Sequence, residues 1–209
     1  MRLAPGGLRY VGVLLLAAGA VLFVAPVVAA VFVACAAGTL FFHRDPDRSP
    51  AGEGMVAPAD GRVSVLREES DRVRLGIFMN VWDVHVNRAP VAGTVESVEH
   101  EPGTHRPAFS KESDRNERVR IDLETPHGPA TITLIAGAFA RRIHPYVSVG
   151  DRLERGERIG HISFGSRVDV TLPPAIDREA IAVERGDRVR AGETVVIPKQ
   201  ALVDQVGGD

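Results

Sequence analysis

The sequence predicts a mainly β domain, a flattened barrel or sandwich of paired hairpins, carried behind an N-terminal apolar helical membrane anchor. Three observations predict it. From Gly54 onward, short alternating apolar stretches run between Gly, Pro and Asp turns. Two stretches of that region occur twice. No charged residue lies between Val11 and Phe42.

The anchor comes first, over residues 1–43. The uncharged run exceeds the ~20 apolar residues that a bilayer core requires of a helix. It is too long for the ~7–15-residue core of a cleaved signal peptide. Pro26 lies near its middle and breaks or kinks a helix there. Two forms follow: one long tilted helix, or a hairpin of helices near Leu14–Val24 and Val27–Phe41. Arg2 and Arg9 before the run, and Arg44 and Arg48 after it, favour both ends on the cytoplasmic side of a cell membrane. Phe41 through Pro50 is a charged, proline-punctuated exit.

The β-rich domain is expected over 44–209. Candidate strands are Arg62–Leu66, Arg72–Ile77, Val95–Glu99, Arg118–Leu123 and Ala130–Ile135; Ile135–Arg142 has a helical look. Ala57-Pro58-Ala59-Asp60-Gly61-Arg62-Val63 is echoed 32 positions later by Ala89-Pro90-Val91-Ala92-Gly93-Thr94-Val95. Val147-x-x-Gly150-Asp151-Arg152-Leu153-x-x-Gly156-Glu157 is echoed 36 positions later by Val183-x-x-Gly186-Asp187-Arg188-Val189-x-x-Gly192-Glu193. Each Gly-Asp predicts a tight turn, and the repeats predict paired hairpins. The pattern resembles lipoyl- and biotin-carrier domains, which bears on fold and says little about function.

Composition removes several classes. The 209 residues carry a net charge of -2, so bulk charge gives no reason to expect nucleic acid as a partner. The single cysteine, Cys35, excludes an internal disulfide and a multi-cysteine metal site. His43, His100, His105, His127 and His161 lack metal-ligand spacing, and no metal site is expected.

The polar candidates for chemistry are Asp60, Asp83, His85, Asn87, Arg88, His144 and Ser166. On a strand, Asp83, His85 and Asn87 share one face beside the only tryptophan, Trp82. Serine is a poor nucleophile until a base takes its proton, and a carboxylate orients that base. Gly165-Ser166, in Phe164-Gly165-Ser166-Arg167-Val168-Asp169, lacks the Gly-x-Ser-x-Gly elbow of α/β hydrolases. A glycine before the serine lets the hydroxyl approach the preceding carbonyl.

In order along the chain stand Phe-Phe-His-Arg-Asp-Pro, Ala-Pro-Ala-Asp-Gly, Asp-Val-His-Val-Asn-Arg-Ala-Pro, Asn116-Glu117-Arg118, Gly-Ala-Phe-Ala-Arg-Arg-Ile and Phe-Gly-Ser-Arg-Val-Asp. The ordered set resembles the phosphatidylserine decarboxylase family, most closely its short bacterial and archaeal branch. The resemblance implies a proenzyme that cuts itself between Gly165 and Ser166. Ser166 becomes a pyruvoyl cofactor, and subunits 1–165 and 166–209 stay associated. It implies that the pyruvoyl group forms a Schiff base with phosphatidylserine, releases carbon dioxide and leaves phosphatidylethanolamine, the work of a carbon–carbon lyase. It makes Asp60 and His85 the base system for cleavage. Arg141, Arg142 and Arg167 are candidates for the substrate phosphate, since guanidinium forks suit phosphate oxygens. A departure is Arg88, which stands where longer members carry a second histidine.

Three rivals remain: a decarboxylase of another serine-bearing lipid such as an archaeal ether lipid, a lipoyl-like binding module, and a membrane-bound serine hydrolase. The binding module needs a modifiable lysine at a hairpin tip, and the only lysines are Lys111 and Lys199. The same scarcity disfavours a pyridoxal phosphate enzyme, which needs a lysine Schiff base. A higher oligomer is compatible with the sequence.

Overall fold

The computed structural model describes residues 2–104, 106, 115–138, 142–162 and 166–206. The chain divides into two units, Met1–Asp47 and Arg48–Asp209. The boundary expected at 43 and 44 therefore falls just inside the first unit.

That unit is a helical hairpin. β1 (Arg2–Leu3) precedes α1 (Gly7–Val21), α2 (Pro26–Phe42) and β2 (Arg44–Asp45). The alternative of one long helix is not what forms. Pro26 lacks the N–H that would bond back to Leu22, so it opens α2 at the position proline favours. The helices have 15 and 17 residues, about 22 and 25 Å, so neither reaches the ~30 Å of a hydrocarbon core. No described helix is long and apolar enough to cross a membrane. Val11 and Ala18 of α1 and Ala29 and Ala36 of α2 are buried, each pair seven residues apart and so on one helix face. Small side chains there let the two backbones approach. Leu16 of α1, Val27 of α2, and Phe23 and Val24 in the turn between the helices are exposed. β1 pairs β2 antiparallel, so the hairpin's two ends meet.

The second unit is mainly β. It begins with β3 (Gly54–Val56), β4 (Gly61–Glu69), β5 (Arg72–Met79), β6 (Val86–Arg88), β7 (Gly93–Glu101), β8 (Arg118–Thr125) and β9 (Gly128–Ile135). Then come β10 (Ile143–Pro145), β11 (Arg152–Leu153), β12 (Arg158–Ile162), β13 (Ser166–Thr171), β14 (Arg188–Val189), β15 (Val195–Pro198) and α3 (Lys199–Val206). Each candidate strand lies within an observed one. The helical look of Ile135–Arg142 does not mature: β9 ends at Ile135 and no helix forms among the described residues of that stretch.

One antiparallel sheet runs β11-β7-β8-β9-β13-β5-β4-β14. Its end strands, β11 and β14, do not pair with each other, so the expected flattened barrel or sandwich takes the form of an open, curled half-barrel. β10-β12-β6 and β15-β3 form two small sheets. Alternate residues of the central strands, including Leu75, Ile77, Ile121, Ile132, Leu134, Val168 and Val170, build the core.

The sequence echoes are the two halves of a pseudo-two-fold. Val56 N–H donates to Pro90 O at 2.9 Å, and Arg88 N–H donates to Pro58 O at 2.8 Å, the same bond shifted by the 32-residue echo. Gly150 N–H reaches Val95 O, and Gly186 N–H reaches Val63 O, both at 2.8 Å. Bulges recur at Val63/Val65 and Val95/Ser97. A shift of 36 carries Thr131 onto Arg167 and Ile135 onto Thr171, so the β9–β13 pairing maps onto itself. Gly156 and Gly192 meet near this axis, at φ 82 and 72, a region that L side chains avoid. A Cβ on Gly192 would lie 2.7 Å from Arg88 Cδ, so the close approach needs glycine there.

Asp122 on β8 joins three strands. It accepts from Ser97 Oγ of β7 and Thr131 Oγ1 of β9, each at 2.7 Å, and from Arg120 Nε at 3.0 Å. Burial pushes its carboxyl up, but the bonds from Thr131, Ser97 and Arg120 outweigh this and hold it below the usual range. Its contribution to stability is therefore complete above the unfolded aspartate pKa of about 3.9 and is lost as pH falls through the lower folded value. Asp122→Asn is expected to melt earlier than wild type at neutral pH and to flatten the acid limb. Thermal melts from about pH 7 down to about pH 3 check this.

Candidate active site

Ser166 opens β13, the strand held between β5 and β9 at the middle of the large sheet. It pairs with Met79 of β5 and is 0% exposed. Strand alternation puts its side chain on the face of Val168 and Val170, toward the core. Its Oγ has no hydrogen-bond partner among the described residues. A buried hydroxyl without a partner costs ~1–3 kcal/mol, so it asks for a functional account. Gly165 lies outside the described residues, as does Arg141.

β12, which ends three residues before Gly165, belongs to a different sheet from β13. The chain thus changes sheets between Ile162 and Ser166. Downstream of that point, β13, β14 and β15 pair with β5 and β9, β4 and β3 respectively.

His85 sits just before β6, and its backbone oxygen accepts from Ile162 N–H at 3.3 Å. Ile162 is four residues before Ser166, at most about 14 Å of chain. His85 is 2% exposed, and its Nδ1 lies 3.0 Å from Asp83 O. A carbonyl only accepts, so that contact puts the proton on Nδ1.

Asp60 follows β3 and is buried. Its Oδ1 accepts from Ala191 N–H at 2.8 Å, and its Oδ2 accepts from Val84 N–H at 3.4 Å. Val84 immediately precedes His85, so the carboxylate holds the histidine's own segment. Arg48 closes on both Asp60 oxygens, with Nη2 donating to Oδ2 at 2.8 Å and Nη1 meeting Oδ1. Nη1 also donates to Ala191 O at 2.8 Å.

The expected strand face of Asp83, His85 and Asn87 requires correction. β5 stops at Met79, and Asn80–Asp83 is a turn, with Asp83 Oδ2 accepting from Asn80 N–H at 2.8 Å. Asp83 is a turn aspartate, while Asn87 lies on β6 and donates its amide to Met79 Sδ at 3.5 Å. Asn87 and Ser166 therefore flank the same methionine. Asn87 Oδ1 is buried without a partner among the described residues.

Arg167 is not placed to meet a phosphate beside Ser166. It lies on the opposite face of β13, and its Nη2 donates to Asp169 Oδ2 at 3.0 Å with Nε 2.9 Å from Oδ1. Arg74 Nε reaches the same Oδ2 at 2.9 Å. The group staples the outer face of the sheet. Arg142 is exposed just ahead of β10. Arg88 is buried and donates to Gly156 O at 2.9 Å, so its guanidinium is a structural strut near the pseudo-two-fold. Tyr146 OH and His161 Nδ1 are 2.7 Å apart, and His144 stacks on His161 with ring centroids 4.5 Å apart. These three pack together on the small sheet. Arg48 is the participant that sequence reading passed over as part of a solvated exit; a buried aspartate's need for a cation was its one signal.

A model of the phosphatidylserine decarboxylase family matches residues 36–197. The chain belongs to that family. It is 67% identical over 165 residues to a Halobacterium salinarum protein provisionally named archaetidylserine decarboxylase proenzyme, covering 78% of this chain and 82% of the relative. It is 56% identical over 163 residues to the phosphatidylserine decarboxylase proenzyme of Thermobifida fusca, covering 78% and 74%.

Proposed function

We propose that the chain is a self-cleaving, membrane-bound decarboxylase of phosphatidylserine that yields phosphatidylethanolamine. The observation that carries the reading is Ser166: a fully buried serine, its hydroxyl unsatisfied among the described residues, where the chain changes sheets. Asp60 fixes Val84, Val84 fixes His85, and His85 Nε2 takes the Ser166 proton. The freed oxygen attacks the Gly165 carbonyl carbon and the amide becomes an ester. Elimination releases Gly165 as a carboxylate and leaves a dehydroalanine; tautomerisation and addition of water expel ammonia and leave a ketone. The sheet pairings of β13, β14 and β15 keep fragments 1–165 and 166–209 together.

The residues present fit a pyruvoyl group. It is no larger than the serine it replaces, needs no donor of its own, and faces Met79 and the core. When formed it supplies an electrophilic carbonyl that takes up the electrons left by departing carbon dioxide. His85 holds or returns the proton, and Asn87 offers the nearby amide to a polar headgroup. Residues 1–43 tether the site to the membrane. The outward Phe23, Val24 and Val27 at the hairpin's turn and the meeting of its ends at β1–β2 support a dipping anchor with both ends cytoplasmic. The name of the Halobacterium relative favours a second substrate reading, archaetidylserine, which carries the same phosphoserine headgroup.

Intact-mass analysis tests the reading. Two fragments are expected, the smaller lighter than Ser166–Asp209 by one ammonia; a single uncut, active chain overturns it. Assays with diacyl and ether serine lipids separate the two substrates. His85→Ala is expected to slow cutting by about 100-fold or more, the usual worth of a positioned base. Timed gels of the freshly made protein check that.

A further inference from the structure

Val81 and Trp82 are adjacent and 43% and 69% exposed. Among the described residues of the β-rich unit, the other exposed large apolar side chains, Val149 and Val203, stand singly. Isolated exposed apolar residues need no explanation, but a neighbouring pair at a turn tip does. The turn is also held in shape. Asp83 N–H donates to Asn80 O at 2.9 Å, Asn80 N–H donates to Asp83 Oδ2 at 2.8 Å, and Arg188 Nη2 donates to Asp83 Oδ1 at 3.2 Å. Trp82 is thus presented on a braced loop, which lowers the ordering cost of binding.

Its position is specific. Trp82 is three residues after Met79, the strand partner of Ser166, and three before His85. Arg62 and Arg188, paired across β4 and β14 beside the turn, are exposed. An exposed indole on a turn that an exposed arginine braces, with a second exposed arginine paired to it, suits one surface above others. Tryptophan settles at the headgroup level of a bilayer, with its ring toward the chains and its N–H toward water, and arginines meet lipid phosphates.

We propose that the Val81–Trp82 turn rests in the bilayer interface and forms the lip over which a lipid headgroup enters the site. This rests on the decarboxylase reading, because that reading makes the substrate a lipid. It assigns the contact to the catalytic unit itself, in addition to the tether at residues 1–43.

Trp82 is the single tryptophan, so the emission of the full-length protein reports on this turn alone. In phosphatidylcholine vesicles its emission is expected to shift to the blue and to be quenched by lipids brominated near the headgroup. Val81→Asp, which keeps the reporter, should weaken that quenching. Trp82→Ala should lose roughly tenfold in kcat/KM on vesicle-borne phosphatidylserine, the scale of one large side chain's burial. Its kcat/KM on monomeric short-chain phosphatidylserine and its extent of self-cleavage should stay within about twofold of wild type. Water-like emission, quenched by iodide and untouched by brominated lipid, overturns the inference. So does an equal loss on both substrates, which would put Trp82 inside the pocket. Failure of the decarboxylase reading shows separately, as absent cleavage and absent activity on either substrate, while the quenching result stands by itself.

Discussion

Ser166→Ala is expected to accumulate as one uncut, inactive chain that melts where a processing-blocked wild-type fold would. The argument is from geometry. Ser166 is fully buried and its Oγ has no hydrogen-bond partner among the described residues. Replacing CH2OH by CH3 removes a buried, unsatisfied hydroxyl and no described contact. The change in stability should fall within about 1 kcal/mol, and its sign can be favourable. Cutting, in contrast, loses its nucleophile and should stop altogether. A gel and a thermal melt on the same preparation separate the two effects. Normal processing of the Ala variant would remove Ser166 from the chemistry.

Arg48→Ala should be strongly destabilising. It leaves the Asp60 carboxylate buried without the guanidinium that closes on both its oxygens. Breaking a buried pair from one side costs about 3–5 kcal/mol, which for a domain of this size is roughly 10 °C in Tm. Removing both partners in Arg48→Ala/Asp60→Ala should restore part of that loss, because no charge then remains stranded. It should not restore cutting, because Val84 and His85 have lost the carboxylate that positions them. Asp60→Asn should likewise cut slowly. A double variant that melts well and also processes normally would reduce Asp60 to a structural turn residue.

Much of this molecule was legible before any coordinates. The strands announced themselves because one face of each is buried, which forces period-two alternation in Leu75, Ile77, Ile132 and Leu134. The Gly-Asp echoes also announced paired hairpins, since a tight turn permits few residues. Their mutual relation was not legible: that 147–157 lies against 89–95 and 183–193 against 57–63 is set by long-range backbone bonds, such as Gly150 to Val95, which leave no local mark. The Asp83–Asn87 stretch misled for a clear reason. Its alternation is strand-like, but Asn80 and Asp83 bond each other's backbone and turn the chain first. The roles proposed for Asp60 and His85 came from resemblance; what joins their segments, Val84 N–H, is a backbone group that no side-chain pattern reveals. Arg167 looked like an anion binder until Asp169, two residues on and so on its own face of β13, took its fork.

The pseudo-symmetry has a consequence for where the chemistry resides. Under the shifts of 36 and 32, the counterpart of Ser166 is Ala130, and that of Asp60 is Ala92. Two geometrically matching addresses exist in one domain, and one of them is blank: it has neither hydroxyl to spend nor carboxylate to steer. On the proposed reading, a single scission per chain follows from chemistry rather than from shape, and the silent twin is the scaffold against which the cut half would be held.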